Sequence, residues 1–257
     1  MNGEKYTLEF FSKGFFGYGK EGDFRQWSLP HFAALGVLTA GILLLALFGS
    51  GIRNWAGEPK LRCALAMLMM FNEFGVFWRL SYVGPESHER KTMMMRLPLQ
   101  VCQWTALLVI PMLFLQSRLL LSMVFYLSLT CGLVPLFLPA VITTTGPSYY
   151  RFYQFWGEHI LPIWSVFYMI FVHGMRPSPI GILLMFGMLV LMTPFALYFN
   201  RRFDDCYFLY LKPEQFSMLK IFTREGSLPR LLLIYGVGVA LLCLVVQCVY
   251  QLILYLL

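Results

Sequence analysis

Cys102 and His159 have the side-chain types and the depth in predicted helices that nucleophilic chemistry needs. Cys102 lies roughly 7–8 Å inside the third predicted membrane span, and His159 lies about 6 Å inside the fifth. A thiol reacts as its thiolate and needs a neighbouring base, which an imidazole can supply. A thioester formed at acyl-chain depth suits a lipid substrate. The pair is therefore a candidate nucleophile and base acting on membrane lipids or an acyl chain, and no cofactor or metal is expected.

Other polar residues fall at a similar depth. His31 lies about 3 Å inside the first span, Glu73 lies about 13 Å from the same side of the second, and Arg79 lies between Glu73 and that face. Such groups are costly in a bilayer unless they are paired or face a cavity. We therefore expect them to converge with Cys102 and His159 near one leaflet as a substrate-binding cluster. The opposite leaflet holds little comparable except His173.

Each of these residues also has an ordinary interpretation, which stays open. A membrane cysteine is usually a small packing residue, and an interfacial position would account for His31. The Arg79 side chain can extend to lipid phosphates. Glu73 is harder to explain in this way, because a carboxylate at its depth must be neutral, paired or hydrated.

The composition excludes a soluble domain. Hydrophobic residues make up 58% of the 257-residue chain and charged residues only 13%. A soluble domain of this length needs more charged residues to cover its surface. The net charge of +7 comes from basic residues spread through the connecting loops rather than from a basic groove with interleaved aromatics. Nucleic-acid binding is therefore not expected, and the charge is typical of loops beside anionic lipid. Residues 1–28 do not have the pattern of a signal peptide.

The fold class expected is all-α integral membrane, a single seven-transmembrane-helix bundle over residues 29–257 after a cytoplasmic N-terminal segment, 1–28. A hydrocarbon core of ~30 Å needs ~20 helical residues, and seven apolar stretches are long enough. The spans are 29–49, 63–82, 97–115, 119–141, 155–175, 178–199 and 231–257, with a longer loop at 200–229.

The distribution of basic residues predicts the orientation of a multi-pass cell-membrane protein. The N-terminal segment and every second loop hold 14 Lys and Arg residues, and the loops of the other side hold 5. The positive-inside rule then places the N-terminus in the cytoplasm and the C-terminus outside.

The segment Leu97-Pro98-Leu99-Gln100-Val101-Cys102 resembles the LPLHLC signature of the YwaF family of bacterial membrane proteins, which is related to the transmembrane protein 164 acyltransferases. Other segments resemble family motifs in the same order, over about residues 25–215. They are His31, Asn72-Glu73 through Trp78, Phe155-Trp156-Gly157-Glu158-His159, and Asn200 followed by Tyr207-Phe208-Leu209-Tyr210-Leu211-Lys212-Pro213.

The resemblance implies a seven-helix fold with Cys102 as nucleophile and His159 as general base. It also adds Gln100, Gln103, Glu158 and Asn200 to the expected substrate-binding residues. The sequence departs from the motifs at three positions: Gln100 replaces the signature His, Gln103 follows the Cys, and Cys206 replaces an Asn. Glutamine cannot take up a proton as histidine can.

The favoured interpretation is a phospholipid or fatty-acyl transferase acting at the cytoplasmic leaflet. One alternative is a non-enzymatic membrane subunit that binds a lipid, a small ligand or a protein partner in the same polar cavity. A second is a small proton-coupled transporter that uses Glu73 and the histidines as a relay. An oligomeric state or protein partner is not predicted.

Overall fold

All regular secondary structure in the residues that the computed structural model describes is helical. Those residues are 15, 24–79, 97–139, 146–203, 206, 208–211 and 228–256, without the side chains of 76–79, 210 and 256. The elements are α1 (Leu29–Asn54), α2 (Glu58–Arg79), α3 (Val101–Leu115), α4 (Arg118–Leu127), a π-helix (Ser128–Gly132), α5 (Leu133–Phe137), α6 (Tyr150–Phe171), α7 (Ile180–Arg202), a 3-10 turn (Phe208–Tyr210) and α8 (Leu228–Leu256).

The helices α4 and α5 and the π-helix between them form one continuous segment, 118–137. Its start is capped by Ser117, whose hydroxyl accepts a hydrogen bond from the Leu120 amide at 3.3 Å. Near its end Pro135 has no amide hydrogen to donate to the carbonyl one turn earlier, that of Cys131. The wider π turn lies at this point, as such turns commonly accompany local disruption of the helical bonding.

Each predicted span falls on a helix, but the helices differ in their apolar character. Within the described residues, four are long and apolar enough to cross a membrane: α1, the 118–137 segment, α7 and α8. α3 is apolar but shorter, at 15 residues. α2 and α6 have 22 residues each and carry more polar side chains.

The helix α6 lies at the centre of the bundle and packs against α1, α2, α3 and the 118–137 segment. Fourteen of its 22 residues are buried. A helix covered by other helices does not need an apolar surface toward lipid, which explains why α6 can carry polar side chains. α8 lies at the periphery and has few fully buried residues.

The helices α2 and α6 approach each other closely at Gly157. A Cβ atom at this position would lie 2.5 Å from the Asn72 Oδ1 atom, and the Asn72 amide donates to the Gln154 carbonyl at 3.2 Å. Small residues permit such close approach in membrane helices. This contact fixes how α2 and α6 face each other at the level of Asn72 and Gly157.

Candidate active site

The thiol of Cys102 lies near two buried carboxyl groups from neighbouring helices. Cys102 is the second residue of α3 and is half-buried. Its thiol faces the carboxyl group of Glu158 on α6, and Glu73 on α2 adds a second carboxyl group nearby. Glu73 is 1% exposed and Glu158 4%. Three helices therefore bring together a partly accessible nucleophile and two groups that can exchange protons.

The carboxyl group of Glu158 is paired on its own helix. Gln154 donates an amide hydrogen to Glu158 Oε2 at 3.2 Å, and Arg151 Nη1 lies 3.8 Å from the same oxygen. Residues 151, 154 and 158 share one face because they are three and four positions apart. Arg151 therefore supplies a positive charge to this site.

The other carboxyl group, Glu73, has no such pairing. Neither of its oxygens has a hydrogen-bond partner among the described residues. Its surroundings are the Glu158 carboxyl group, the Arg151 guanidinium and the Gln103 side chain. The two acids thus have the same chemistry but different environments.

Gln100 and Gln103, two of the predicted substrate-binding residues, lie at the start of α3 beside the thiol. The backbone amide of Gln100 donates to Gln103 Oε1 at 3.4 Å, which satisfies one of the free amides at the helix start. Gln103 is buried and near Glu73, whereas Gln100 is half-buried. Gln103 therefore belongs to the thiol site, and Gln100 positions the first turn of the helix that carries it.

His159 lies next to Glu158 in sequence but points in another direction, because consecutive helical residues are rotated by about 100°. Its Nδ1 atom is 2.8 Å from the Phe155 carbonyl oxygen, so the nitrogen donates and the ring is held against its own helix. No hydrogen bond joins Cys102 and His159 in the described part of the chain. The predicted Cys102–His159 pair remains a prediction.

His31 is fully buried and both ring nitrogens are bonded to backbone. Nδ1 accepts from the Trp27 amide at 2.8 Å, and Nε2 donates to the Leu136 carbonyl oxygen at 2.8 Å. The ring packs against Trp156, with centroids 5.5 Å apart. These bonds join the start of α1 to the end of α5. A substrate contact of His31 stays a prediction.

Asn200 and Arg79 are not placed at the thiol site by any described contact. The Asn200 side chain bonds twice to the backbone of Phe208, donating to its carbonyl at 2.9 Å and accepting from its amide at 2.7 Å. This pair holds the turn in which Leu209 adopts a left-handed φ of 54°. Arg79 ends α2, but its side chain lies outside the described residues.

The opposite end of the bundle also carries a polar cluster, so the expectation that it holds little besides His173 is wrong. Three side chains bond to Glu58 Oε1: Tyr168 at 2.7 Å, His173 at 2.8 Å and Arg62 at 2.9 Å. The prediction placed Glu58 in a loop, whereas α2 begins at this residue. The cluster ties the start of α2 to the end of α6.

Replacement of Glu58 by glutamine should destabilise the protein in a pH-dependent way. Burial raises the pKa of Glu58, but the hydrogen bonds from Tyr168, His173 and Arg62 outweigh it and hold the pKa below 4.5. The charged form therefore contributes stability above pH 4.5, about 1–3 kcal/mol, and that contribution is lost as the pH falls through the lowered pKa. Thermal unfolding in detergent at neutral pH and at about pH 3 measures the difference.

Lys60→Gln is the matched control for this prediction, since Lys60 is exposed on the same helical turn. It should leave the unfolding temperature and its pH dependence unchanged. An equal wild-type advantage over Glu58→Gln at both pH values would contradict the role given to the Glu58 charge.

Arg151 and Gln154 were not among the predicted site residues. The spacing of residues 151, 154 and 158 could have identified them, because it places three polar side chains on one face of a buried helix. Arg151 was instead counted as a loop charge, because α6 was expected to begin at residue 155. No group of His, Cys, Asp or Glu suited to hold a metal ion occurs among the described residues.

Comparison with known proteins identifies the family. A family model described as the TMEM164 family matches residues 26–256. The chain belongs to the TMEM164 family. The match extends beyond the motifs quoted above and includes the last helix, so all helices of this membrane protein fall within one family region. No curated protein and no solved structure matches the chain.

Proposed function

We propose that this TMEM164-family protein transfers a fatty-acyl group between membrane lipids through a thioester on Cys102. The proposal is carried by one observation, a half-buried thiol that faces a buried carboxyl group inside an apolar helix bundle. Such a thiol is accessible to an acyl chain lying between helices, and it has a proton acceptor beside it. The resemblance to acyltransferase motifs around Cys102 supports the same chemistry.

The transfer begins with attack of the Cys102 sulfur on the carbonyl carbon of a phospholipid or other acyl ester. The carbon–sulfur bond forms, the ester carbon–oxygen bond breaks, and the thiol proton passes through a base to the departing alkoxide. Glu158 is the group that faces the thiol, so we assign it this proton transfer. Arg151 and Gln154 hold the Glu158 carboxyl group in place.

Several predicted residues take other roles in this proposal. The resemblance implied His159 as the base. His159 is therefore the alternative to Glu158 in the experiments. Gln103 borders the thiol. Arg151 is paired with Glu158, which faces the thiol, so a lipid phosphate would approach Arg151. The predicted headgroup role of Arg79 stays a proposal to be tested by substitution.

We propose that all seven predicted spans cross the membrane, with the N-terminus in the cytoplasm. The polar character of α6 is compatible with a spanning helix because neighbouring helices cover it. The polar groups of α2, chiefly Glu58 and Glu73, are buried rather than exposed to lipid. The distribution of Lys and Arg supports the orientation, which places the thiol site at the cytoplasmic leaflet.

A proton-coupled transporter is less well supported. A relay from the Glu58 cluster to Glu158 would have to pass along the middle of α6, where the buried side chains Ile160, Leu161, Ile163 and Val166 are apolar. The hydroxyl of Ser165 lies in this stretch, but it bonds to the carbonyl of its own helix at Leu161.

Trapping of the acyl-enzyme tests the proposal. Purified protein would be incubated with an alkyne-tagged fatty-acyl ester in lipid nanodiscs, and the tag would be detected on the protein before and after neutral hydroxylamine, which cleaves thioesters. The wild type should carry a hydroxylamine-sensitive label, and Cys102→Ala should lose it completely, because no other group in the site can form a thioester.

Cys131→Ala is the matched control for the trapping experiment. Cys131 is a free, half-buried thiol in the π-helix, away from the carboxyl groups. Its replacement should leave the label intact. A label that survives in Cys102→Ala, or a wild type that is never labelled, would overturn Cys102 as the acyl carrier and favour the non-enzymatic binding subunit.

A further inference from the structure

Several buried polar atoms beside the thiol have no hydrogen-bond partner among the described residues. They are both carboxyl oxygens of Glu73, the Gln154 Oε1 atom and the Arg151 Nη1 atom, although the last lies in the ion pair with Glu158. Glu73 and Gln154 are each 1% exposed. An unsatisfied buried polar atom costs about 1–3 kcal/mol. Such atoms are rare in native proteins unless they serve a ligand, a water molecule or a reaction.

The unpartnered atoms call for a ligand that donates hydrogen bonds. Carboxyl and amide oxygens accept hydrogen bonds, so three of the four atoms are acceptors. They lie on the facing sides of α2 and α6, whose spacing is fixed by the Asn72–Gln154 contact and by Gly157. A hydroxyl group fits this arrangement better than a free phosphate, which accepts hydrogen bonds itself.

The two carboxyl groups also differ in what surrounds them. Glu158 faces the thiol and is occupied by Gln154 and Arg151. Glu73 lies near the same thiol on another helix, beside the Gln103 side chain, and neither of its oxygens has a hydrogen-bond partner of good geometry among the described residues. A reaction in two half-steps needs a proton transfer in each, and two carboxyl groups from separate helices lie near the sulfur.

We infer that Glu73 is the proton-transfer residue of the second half-reaction, in which a hydroxyl-bearing lipid takes the acyl group from Cys102. This inference rests on the proposed thioester. The hydroxyl oxygen attacks the thioester carbonyl, the new ester carbon–oxygen bond forms and the carbon–sulfur bond breaks. One Glu73 oxygen takes the hydroxyl proton while the carboxyl group delivers a proton to the leaving sulfur, which restores the Cys102 thiol. Gln154 Oε1 positions the acceptor lipid beside it.

A pulse–chase experiment in membranes from expressing cells tests this inference, because those membranes supply their own acceptor lipids. Protein would be pulsed with the alkyne-tagged acyl ester and chased with untagged ester, and the tag on Cys102 followed over time. Glu73→Gln should acquire the tag at the wild-type rate but release it about 100-fold more slowly. The acyl-enzyme should therefore accumulate. Glu73→Asp, which keeps the acid, should release the tag at an intermediate rate.

Glu58→Gln is the control for carboxyl-to-amide replacement, since Glu58 lies at the opposite end of the bundle. It should release the tag at the wild-type rate. Release at the wild-type rate from Glu73→Gln would overturn the inference, as would loss of labelling in Glu73→Gln and Glu73→Asp proteins that retain the wild-type unfolding temperature. A wild type that is labelled but never releases the tag would also overturn it, with Cys102 as acyl carrier unaffected. A wild type without label would instead overturn the proposed function.

Discussion

Replacing Glu158 with glutamine is expected to slow thioester formation on Cys102 by about 100-fold or more. The amide has nearly the same size, so packing in the buried face of α6 is retained. It cannot take a proton from the thiol that the carboxyl group faces. The rate at which the alkyne-tagged ester labels the protein under single-turnover conditions measures this effect.

His159→Gln is the natural comparison for this variant. The His159 ring donates a hydrogen bond to the Phe155 carbonyl, and a glutamine amide can donate in its place. The rate of labelling in His159→Gln should therefore fall by less than about 10-fold. The reverse result, a large loss in His159→Gln with near-normal labelling in Glu158→Gln, would contradict the assignment of Glu158. It would restore the Cys102–His159 pair predicted from the motifs.

Replacing Gly181 with alanine is expected to be the most destabilising small substitution in the bundle. A Cβ atom there would lie 2.1 Å from the Ser122 carbonyl oxygen, at the contact between α4 and α7. The obstructing atom belongs to the backbone, so one helix has to move away from the other. Overpacking of this kind costs about 3 kcal/mol at the upper end of its usual range. Thermal unfolding of the purified protein in detergent measures the loss.

Gly187→Ala provides a matched control on the same helix, because a Cβ atom at this position meets nothing within 4 Å. Alanine favours a helix over glycine, so this variant should unfold at the wild-type temperature or slightly above it. If Gly181→Ala unfolded at the same temperature as Gly187→Ala, the close contact between α4 and α7 would be wrong.

The convergence of Glu73 and Cys102 near one end of the bundle was predictable from the sequence. The rise of a helix is constant, so counting residues from the end of each apolar stretch places both side chains at a similar depth. Each predicted span also overlaps a helix of the described residues, because length and apolarity are local properties. The ends were less predictable: α2 begins at Glu58 and α6 at Tyr150, each five residues before its predicted span.

Which of two adjacent residues faces the thiol was not predictable in the same way. The choice between Glu158 and His159 depends on the rotation of α6, and a helix with 14 of its 22 residues buried has no single apolar face to reveal it. Close packing at Gly157 sets that rotation. The contacts of His31 could not be predicted either. One hydrogen-bond partner is the backbone carbonyl of Leu136, 105 residues away, and a bond to backbone requires no particular residue type there.

The central claim is that Cys102 carries an acyl group, and peptide mass spectrometry tests it most directly. Wild-type protein would be incubated in nanodiscs with a phospholipid bearing an isotopically labelled acyl chain, then digested under acidic conditions that preserve thioesters. We expect the mass of the labelled acyl group on the peptide that contains Cys102, and its loss after treatment with hydroxylamine. An unmodified Cys102 peptide, with the acyl mass on Cys131 or on no cysteine, would contradict the account.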